Sequence, residues 1–456
     1  MKSTYRSVCC RWFALGAMLA ACSQKPQADQ TAATNTPAAL PDTARHPKTA
    51  TSPTLPRPYA TRSARVFSRV MGWPAGKTPT APPGFRVTLF AEGLAHPRWL
   101  YVLPNGDVLV AQAATTPNSA AKKVVAALGL DPSKTLHSVS PNSIALLRDR
   151  DHDGRADERR TFLAPARGPD KPFGMALLGT TLYVAGTAEI RTYAYRAGQD
   201  SIGTAGRKIL DLPAGGYNNH WTRNLLAAPD GRKLYVTVGS ASNVQEHGAD
   251  VEQRRACILE INPDGSGERL YASGLRNPVG AGWAPGTGVL WTAVNERDGL
   301  GDDLVPDYLT SVQPGGFYGW PYSYFGQHED PRLAGQRPDL VRTALVPDVP
   351  LGAHTASLGL AFCTRNAFPA RYRGGAFIGQ HGSWNRSALA GYQVAFVPFS
   401  EGRPTGPPEP FLTGFIADAA RQEVYGRPVG VTELPDGSLL VADDASDCIW
   451  HVRATR

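Results

Sequence analysis

The chain has 456 residues, with 47 Lys and Arg against 39 Asp and Glu, a formal charge of +8. Apolar residues make up 42% and charged residues 19%, which is a globular composition and not a disordered one. The basic residues form no dense stripe, which argues against a nucleic-acid interface, and no apolar run reaches the roughly 20 residues that a spanning helix needs.

The first segment reads as an address. Lys2, Arg6 and Arg11 precede a short apolar stretch over 12–21, which suits an export signal. It ends Leu19-Ala20-Ala21-Cys22-Ser23, which resembles a bacterial lipobox: small residues before a Cys that is lipidated and becomes the new N-terminus. The alternative is an ordinary signal with an incidental Cys. Ser23 in place of an Asp resembles outer-membrane sorting. Residues 1–22 are therefore expected to be a signal. The protein is expected to sit in a bacterial cell envelope, facing the periplasm, with the lipid as its only contact with the membrane.

Residues 23–83 are rich in Ala, Thr, Pro, Ser and Gln, with no hydrophobic period before Phe67. This reads as a tether that begins to order near residue 65. Beyond Cys22 only Cys257, Cys363 and Cys448 remain. No Cys-x-x-Cys-His occurs, so covalent c-type haem is excluded. Three thiols allow one disulfide at most. Cys257 and Cys448 lie in apolar strand-like runs and read as buried, and no zinc site can be built from the set.

From residue 84 a pattern recurs: a Gly-containing turn, then a short apolar strand. Its six returns centre on Leu109, Tyr183, Tyr235, Trp291, Phe377 and Leu440. Pro-Asn-Gly or Pro-Asp-Gly precedes three of them, at 104–106, 229–231 and 435–437. There Pro presets φ and Gly supplies φ > 0. With 47 Gly, 39 Pro and no long helical pattern, the chain reads as all-β. Residues 84–456 are expected to form a six-bladed β-propeller of four-stranded antiparallel blades. The alternative is a pair of β-sandwiches. In a propeller the site lies in loops at one end of the central channel.

Five loops carry chemistry. His220 lies in a polar, Gly-containing loop, and its unperturbed pKa suits proton abstraction. Arg276-Asn277 pairs a planar donor fork with an amide, which suits carboxylates or quinone oxygens. The acidic, Gly-rich stretch at 295–303 offers carboxylate and backbone oxygens to Ca²⁺, the alternative being a solvated acidic loop. His381 to Arg386 and Gly426-Arg427 place cations beside unit strands. With Arg98 they would make a positive mouth that suits a polycarboxylate.

Together these segments resemble the pyrroloquinoline quinone (PQQ)-dependent sugar dehydrogenases, in particular the sorbosone and pyranose dehydrogenase branch related to soluble glucose dehydrogenase. The carrying motifs are Pro172-Phe173-Gly174-Met175-Ala176, His220 with Arg223, Gly274-Leu275-Arg276-Asn277-Pro278, Gly316-Phe317-Tyr318-Gly319-Trp320-Pro321, His381-Gly382-Ser383-Trp384-Asn385-Arg386 and Gly426-Arg427-Pro428-Val429-Gly430. The resemblance implies PQQ and Ca²⁺ as cofactors and His220 as the base. His220 would take a proton from a sugar hydroxyl or hydrated aldehyde while hydride passes to the quinone. Arg276 and Asn277 match the pair on the quinone oxygens, and Arg427 matches an Arg on a PQQ carboxylate. Arg98, His381 and Arg386 complete the expected cofactor set. The backbone carbonyls of Asp298 and Gly299 match those that hold the ion. A separate quinone or cytochrome is implied as electron acceptor. The chain departs from the glucose-dehydrogenase branch at Asp298-Gly299, where that branch has Gly-Pro, and at Asn219, where an acidic residue often precedes the catalytic His.

Asp149-Arg150-Asp151-His152-Asp153-Gly154 resembles the start of an EF-hand loop, but its twelfth position is Arg160. A plain hairpin turn is the favoured reading over a peripheral Ca²⁺ site. Two other readings of the whole chain stand beside the dehydrogenase: a Ca²⁺-dependent lactonase-type propeller, and a non-catalytic propeller that binds a glycan or protein partner.

Overall fold

The computed structural model describes residues 54–115 and 140–455. The expected signal, Cys22 and the tether up to residue 53 lie outside the described residues. Six four-stranded antiparallel units follow one another along the chain. Blade 1 contains Pro97–Val102, Val108–Gln112, Ser143–Arg148 and Glu158–Leu163, and blade 2 Met175–Leu178, Thr181–Ala185, Glu189–Ala194 and Arg207–Asp211. Blade 3 contains Leu225–Ala227, Leu234–Val238, Cys257–Ile261 and Arg269–Ser273, with Gly316–Phe317 added in parallel at its edge. Blade 4 contains Pro278–Trp283, Leu290–Val294, Pro306–Ser311 and Val349–Ala353, and blade 5 Ala361–Phe362, Ala376–Gln380, Gln393–Val397 and Glu409–Leu412. Blade 6 takes Pro428–Glu433, Leu439–Asp443 and Cys448–Ala454 from the end of the chain and its outer strand, Phe85–Ala91, from the beginning.

This is the six-bladed propeller that the repeat predicts. All six recurring anchors lie in the second strand of their blade, a strand buried on both faces. Alternate side chains feed two different cores, which is why these strands read as continuous apolar runs. Leu439 and Val441 pack in the layer between blades 5 and 6, while Leu440 and Ala442 pack between blades 6 and 1. Each pair of neighbouring blades encloses one such layer.

The meander fixes which loops share a face. Segments that enter a first strand and loops that leave a second strand emerge at one end, and the hairpins joining first to second and third to fourth strands emerge at the other. His220, Arg276, Arg427, the 295–303 loop and the 381–386 loop all belong to the first end. The Pro-Asp-Gly turns and the Asp149–Asp153 turn belong to the second.

Residues 54–83 differ from the expected tether. Arg69–Val70 pairs in parallel with Glu423–Val424, Thr80 bridges Thr413, and the Trp73 indole donates to Asp443 Oδ2 at 2.8 Å. The segment lies as a strap along the first end, from the blade 4 loop to blade 6.

Candidate active site

His220 enters blade 3 in a turn held from below by Arg223. That guanidinium is fully buried and donates to the carbonyls of His220 (2.7 Å), Thr222 (2.9 Å) and Pro213 (2.7 Å). The imidazole Nδ1 lies 2.8 Å from the Ser240 carbonyl oxygen and 3.0 Å from its Oγ. A carbonyl only accepts, and Ser240 Oγ gives its own proton to the Ser242 carbonyl at 2.6 Å, so Nδ1 carries the hydrogen and Nε2 the lone pair. Burial and the nearby Arg276 guanidinium push His220 down to about 3. The ring is therefore neutral at physiological pH, with its Nε2 unprotonated.

Beside it sits Asn277, buried, with Oδ1 lacking any partner. Both side chains close on Gly239, where blade 3 leaves its second strand. A Cβ there would fall 2.4 Å from Asn277 Oδ1 and 2.6 Å from His220 Cβ. Arg276, next in sequence, is also buried. It donates to the Glu296 carbonyl at 2.6 Å, Asn243 Oδ1 at 3.0 Å and Asp298 Oδ2 at 3.2 Å.

The 295–303 loop is held by protein donors. The Asp298 carbonyl accepts from Asn243 Nδ2 at 3.0 Å and Arg332 Nη1 at 2.9 Å. The Leu300 carbonyl accepts from the Tyr59 N–H at 2.7 Å, and the Gly301 carbonyl from His354 Nε2 at 2.8 Å. The Gly299 N–H donates to Asn385 Oδ1 at 3.0 Å. A carbonyl has two lone pairs, and both on Asp298 are taken, one by a guanidinium. As folded, the Asp298 carbonyl does not fit the calcium site that the resemblance implies at Asp298 and Gly299.

A second group of charges converges from blades 1, 5 and 6. Asp444 lies between Arg98 Nη1 at 2.5 Å and His381 Nε2 at 2.7 Å. Burial alone would raise this carboxyl, but His381 and Arg98 hold it well below the usual carboxylate range. Burial and Arg427 bring His381 down to about 4. Arg427 donates to the carbonyls of His381 at 3.0 Å and Gly382 at 3.1 Å. Asp443, beside Asp444 in the chain, accepts from the Arg427 N–H at 2.8 Å, so the Arg98 and Arg427 guanidinium groups stand beside two buried carboxylates. Trp221 joins the two clusters: it follows His220 in the chain, and its ring lies 5.7 Å from the Arg98 guanidinium. Arg386 is not part of this group. It turns outward to Asp303 Oδ1 at 2.7 Å and the Asp302 carbonyl at 3.2 Å.

Asn243, His354 and Arg332 were not foreseen. Each is a single polar residue in an irregular loop with no periodic signal around it. The Gly316–Pro321 motif serves packing: Tyr318 Oη donates to the Ser311 carbonyl at 2.5 Å, and the Trp320 indole donates to the Asn243 carbonyl at 2.9 Å. Cys257, Cys363 and Cys448 are free and buried, so none of the three forms a disulfide. Oxygens of Asp149, Asp151 and Asp153 lie within 4.8 Å of one another on the opposite face.

The family described as Glucose / Sorbosone dehydrogenase matches residues 193–451, more than half of the chain. The chain belongs to this family. The family match runs from the end of the third strand of blade 2 into the third strand of blade 6. An uncharacterised protein of Borreliella burgdorferi is 29% identical over 308 residues, covering 65% of this chain and 79% of its own. Among solved structures, a calcium structure of a family AA12 carbohydrate-active enzyme of Trichoderma reesei superposes with a TM-score of 0.66 at 21% identity, covering 85% of this chain and 98% of that one. The holo PQQ domain of pyranose dehydrogenase from Coprinopsis cinerea gives 0.66 at 19%, covering 84% and 98%. At such identities the structural likeness establishes the propeller alone. The family match establishes a sugar dehydrogenase-like oxidoreductase with a small-molecule sugar as the substrate class.

Proposed function

We propose that this protein is a PQQ-dependent dehydrogenase that oxidises a sugar hydroxyl or hydrated aldehyde and passes its electrons to a separate quinone or cytochrome. The observation that carries this is that a neutral His220, its Nε2 carrying the lone pair, and the buried Asn277 side chain, its Oδ1 without a partner, both close on Gly239. Bound PQQ would supply the two-electron acceptor. Asn277 would donate through Nδ2 to its carbonyl end, beside the charge of Arg276, whose N–H groups are engaged by Asn243, Asn295, Glu296 and Asp298, and Arg98, Arg427 and His381 would face its carboxylate end. His220 Nε2 takes the hydroxyl proton of the substrate. Ser240 fixes the ring orientation and Arg223 the backbone beneath it, so the base meets the hydroxyl pre-oriented. No step is routed through Ca²⁺, because the Asp298 carbonyl already accepts two donors. The lipid anchor at Cys22 and the periplasmic location belong to the same proposal and are tested by loss of lipid labelling in Cys22→Ser.

The deciding experiment is a titration of the chain from Ser23 onward with PQQ, with and without Ca²⁺, followed by dye reduction across a panel of sugars and aldehydes. The expected result is PQQ binding by both wild type and His220→Ala, with sugar-dependent dye reduction only in the wild type. Absence of PQQ binding by the wild type overturns the proposal.

A further inference from the structure

Five large apolar side chains are exposed among the described residues, and four of them lie together on the site face: Tyr59 (55%), Phe67 (41%) and Met71 (45%) from the strap, and Trp384 (39%) from the blade 5 loop it crosses. The Phe67 and Trp384 rings stack, with centroids 5.9 Å apart and planes at 9°. The strap alternates like a strand. Ala64, Val66, Ser68 and Val70 face the propeller, while Arg65, Phe67, Arg69 and Met71 face outward. The inward set is fixed by the Asn385 amide on the Ala64 carbonyl at 2.7 Å, by the Val66 N–H on the Trp384 carbonyl at 2.9 Å, and by Val70 packing in the layer of blades 5 and 6. Thr61 Oγ1 and Ser63 Oγ accept from the N–H groups of Asp302 and Gly301 at 2.8 and 3.1 Å. The outward set adds Arg57, Arg62 and Lys77, all exposed. No acidic residue occurs from 54 to 83.

We infer that this strap, with Trp384, docks the site face onto a bilayer containing anionic phospholipid. Aromatic rings flanked by Arg and Lys belong at the boundary of headgroup and acyl chain. Basic side chains are drawn to an anionic leaflet, and apolar area adds to the attachment. Arg57, Arg62, Arg65 and Lys77 give the strap a basic outer side, while Arg69 is paired with Glu423. The described residues begin at Thr54, five residues before Tyr59, and about thirty residues of sequence lie between Thr54 and the expected lipid at Cys22. Docked this way, the His220 side of the channel faces the lipid phase in which a membrane quinone is dissolved. The inference does not depend on PQQ, so its failure leaves the dehydrogenase reading untouched.

The test is co-sedimentation of the chain from Ser23 onward, which retains every contact described above and carries no lipid, with phosphatidylcholine vesicles that do or do not contain phosphatidylglycerol. Binding is expected only with phosphatidylglycerol and should fade as salt rises. Each basic residue is worth about fivefold in partition, so the joint reversal of Arg57, Arg62 and Arg65 to Glu is expected to weaken binding at least a hundredfold. Phe67→Ser tests the apolar share without altering charge. Arg232→Glu, on a turn at the opposite end, should bind as the wild type does. Brominated lipid should quench tryptophan fluorescence in the wild type, and Trp384→Phe should abolish that share of the quenching. Equal binding to both kinds of vesicle, binding that survives the triple reversal, or loss of binding on Arg232→Glu would overturn the inference.

Discussion

Gly239→Ala adds one methyl group between the base and the amide and touches no reacting atom. Its φ lies outside the left-handed region, so space alone decides the outcome. The new Cβ would stand 2.4 Å from Asn277 Oδ1 and 2.6 Å from His220 Cβ. Ordinary contact begins about 1 Å further out, so one of the two side chains must move by roughly 1 Å. Neither has a free path. His220 is pinned by Ser240 and by Arg223 on its carbonyl, and Asn277 is buried with its carbonyl on the Asn295 N–H at 3.1 Å. Overpacking of this kind costs about 1–3 kcal/mol of stability. A displacement of that size at a reacting pair costs about a hundredfold in rate. The assay is kcat/KM for dye reduction beside PQQ affinity from fluorescence, with a thermal melt to show that the ring is intact. A fall in kcat/KM near a hundredfold with a melt lowered by a few degrees is expected. Wild-type kcat/KM with wild-type PQQ affinity would refute the claim that His220 and Asn277 act as a pair across this gap.

Other outcomes follow from the same contacts. His220 is pushed down to about 3, so its neutral, proton-accepting form persists as pH falls, and kcat/KM should show no titration near 6.5. An acid limb centred there that vanishes in His220→Gln would contradict the assignment. Asp443 is raised from 3.8 to about 6, chiefly by burial. A carboxyl raised on folding gives stability that is present below the unfolded value and is lost as pH rises through the folded one. The thermal midpoint of the wild type should therefore fall relative to Asp443→Asn as pH goes from about 4 to 6, and a constant difference would refute this. Arg332→Ala frees a lone pair on the Asp298 carbonyl, so calorimetry should find Ca²⁺ binding more tightly than in the wild type, both in a background lacking the Asp151 and Asp153 carboxylates. Equal affinity would show that Arg332 does not compete with the ion.

The architecture was legible because it is written in periodicity. Leu109 to Leu440 repeat a second strand buried on both faces, and the Pro-Asp-Gly turns mark its entrance. His220, Arg276, Asn277, His381 and Arg427 were legible because each stands in a Gly- or Pro-bearing loop beside such a strand, and the meander brings all five to one face. The partners that fix them were not. Asn243 meets Asp298 across 55 residues and His354 meets it across 56, and neither has a local pattern. The sign of Arg386 was legible, but its direction was not: a guanidinium turns to the nearest carboxylate, here Asp303. The strap was legible only as chain that begins to order near residue 65, because its composition resembles a tether. Its alternation over 64–71 is only one strand long and becomes meaningful only against a surface that receives its inward half.

Blade 6 is sewn from the two ends of the described chain. Phe85–Ala91 runs against Cys448–Ala454, and the Thr455 N–H reaches the Gly84 carbonyl at 2.8 Å. This imposes an order of events in time. The outer strand is among the first parts of the fold to be synthesised, yet its partner is the last. Until residue 448 emerges, the early strand keeps an unpaired edge and the flank of blade 1 stays uncovered, both of which invite wrong pairings. The contact that completes the fold is also among the most distant in sequence, so its loop-closure entropy falls at the end of assembly. A chain stopped a dozen residues short would carry every candidate catalytic group and still be an open ring.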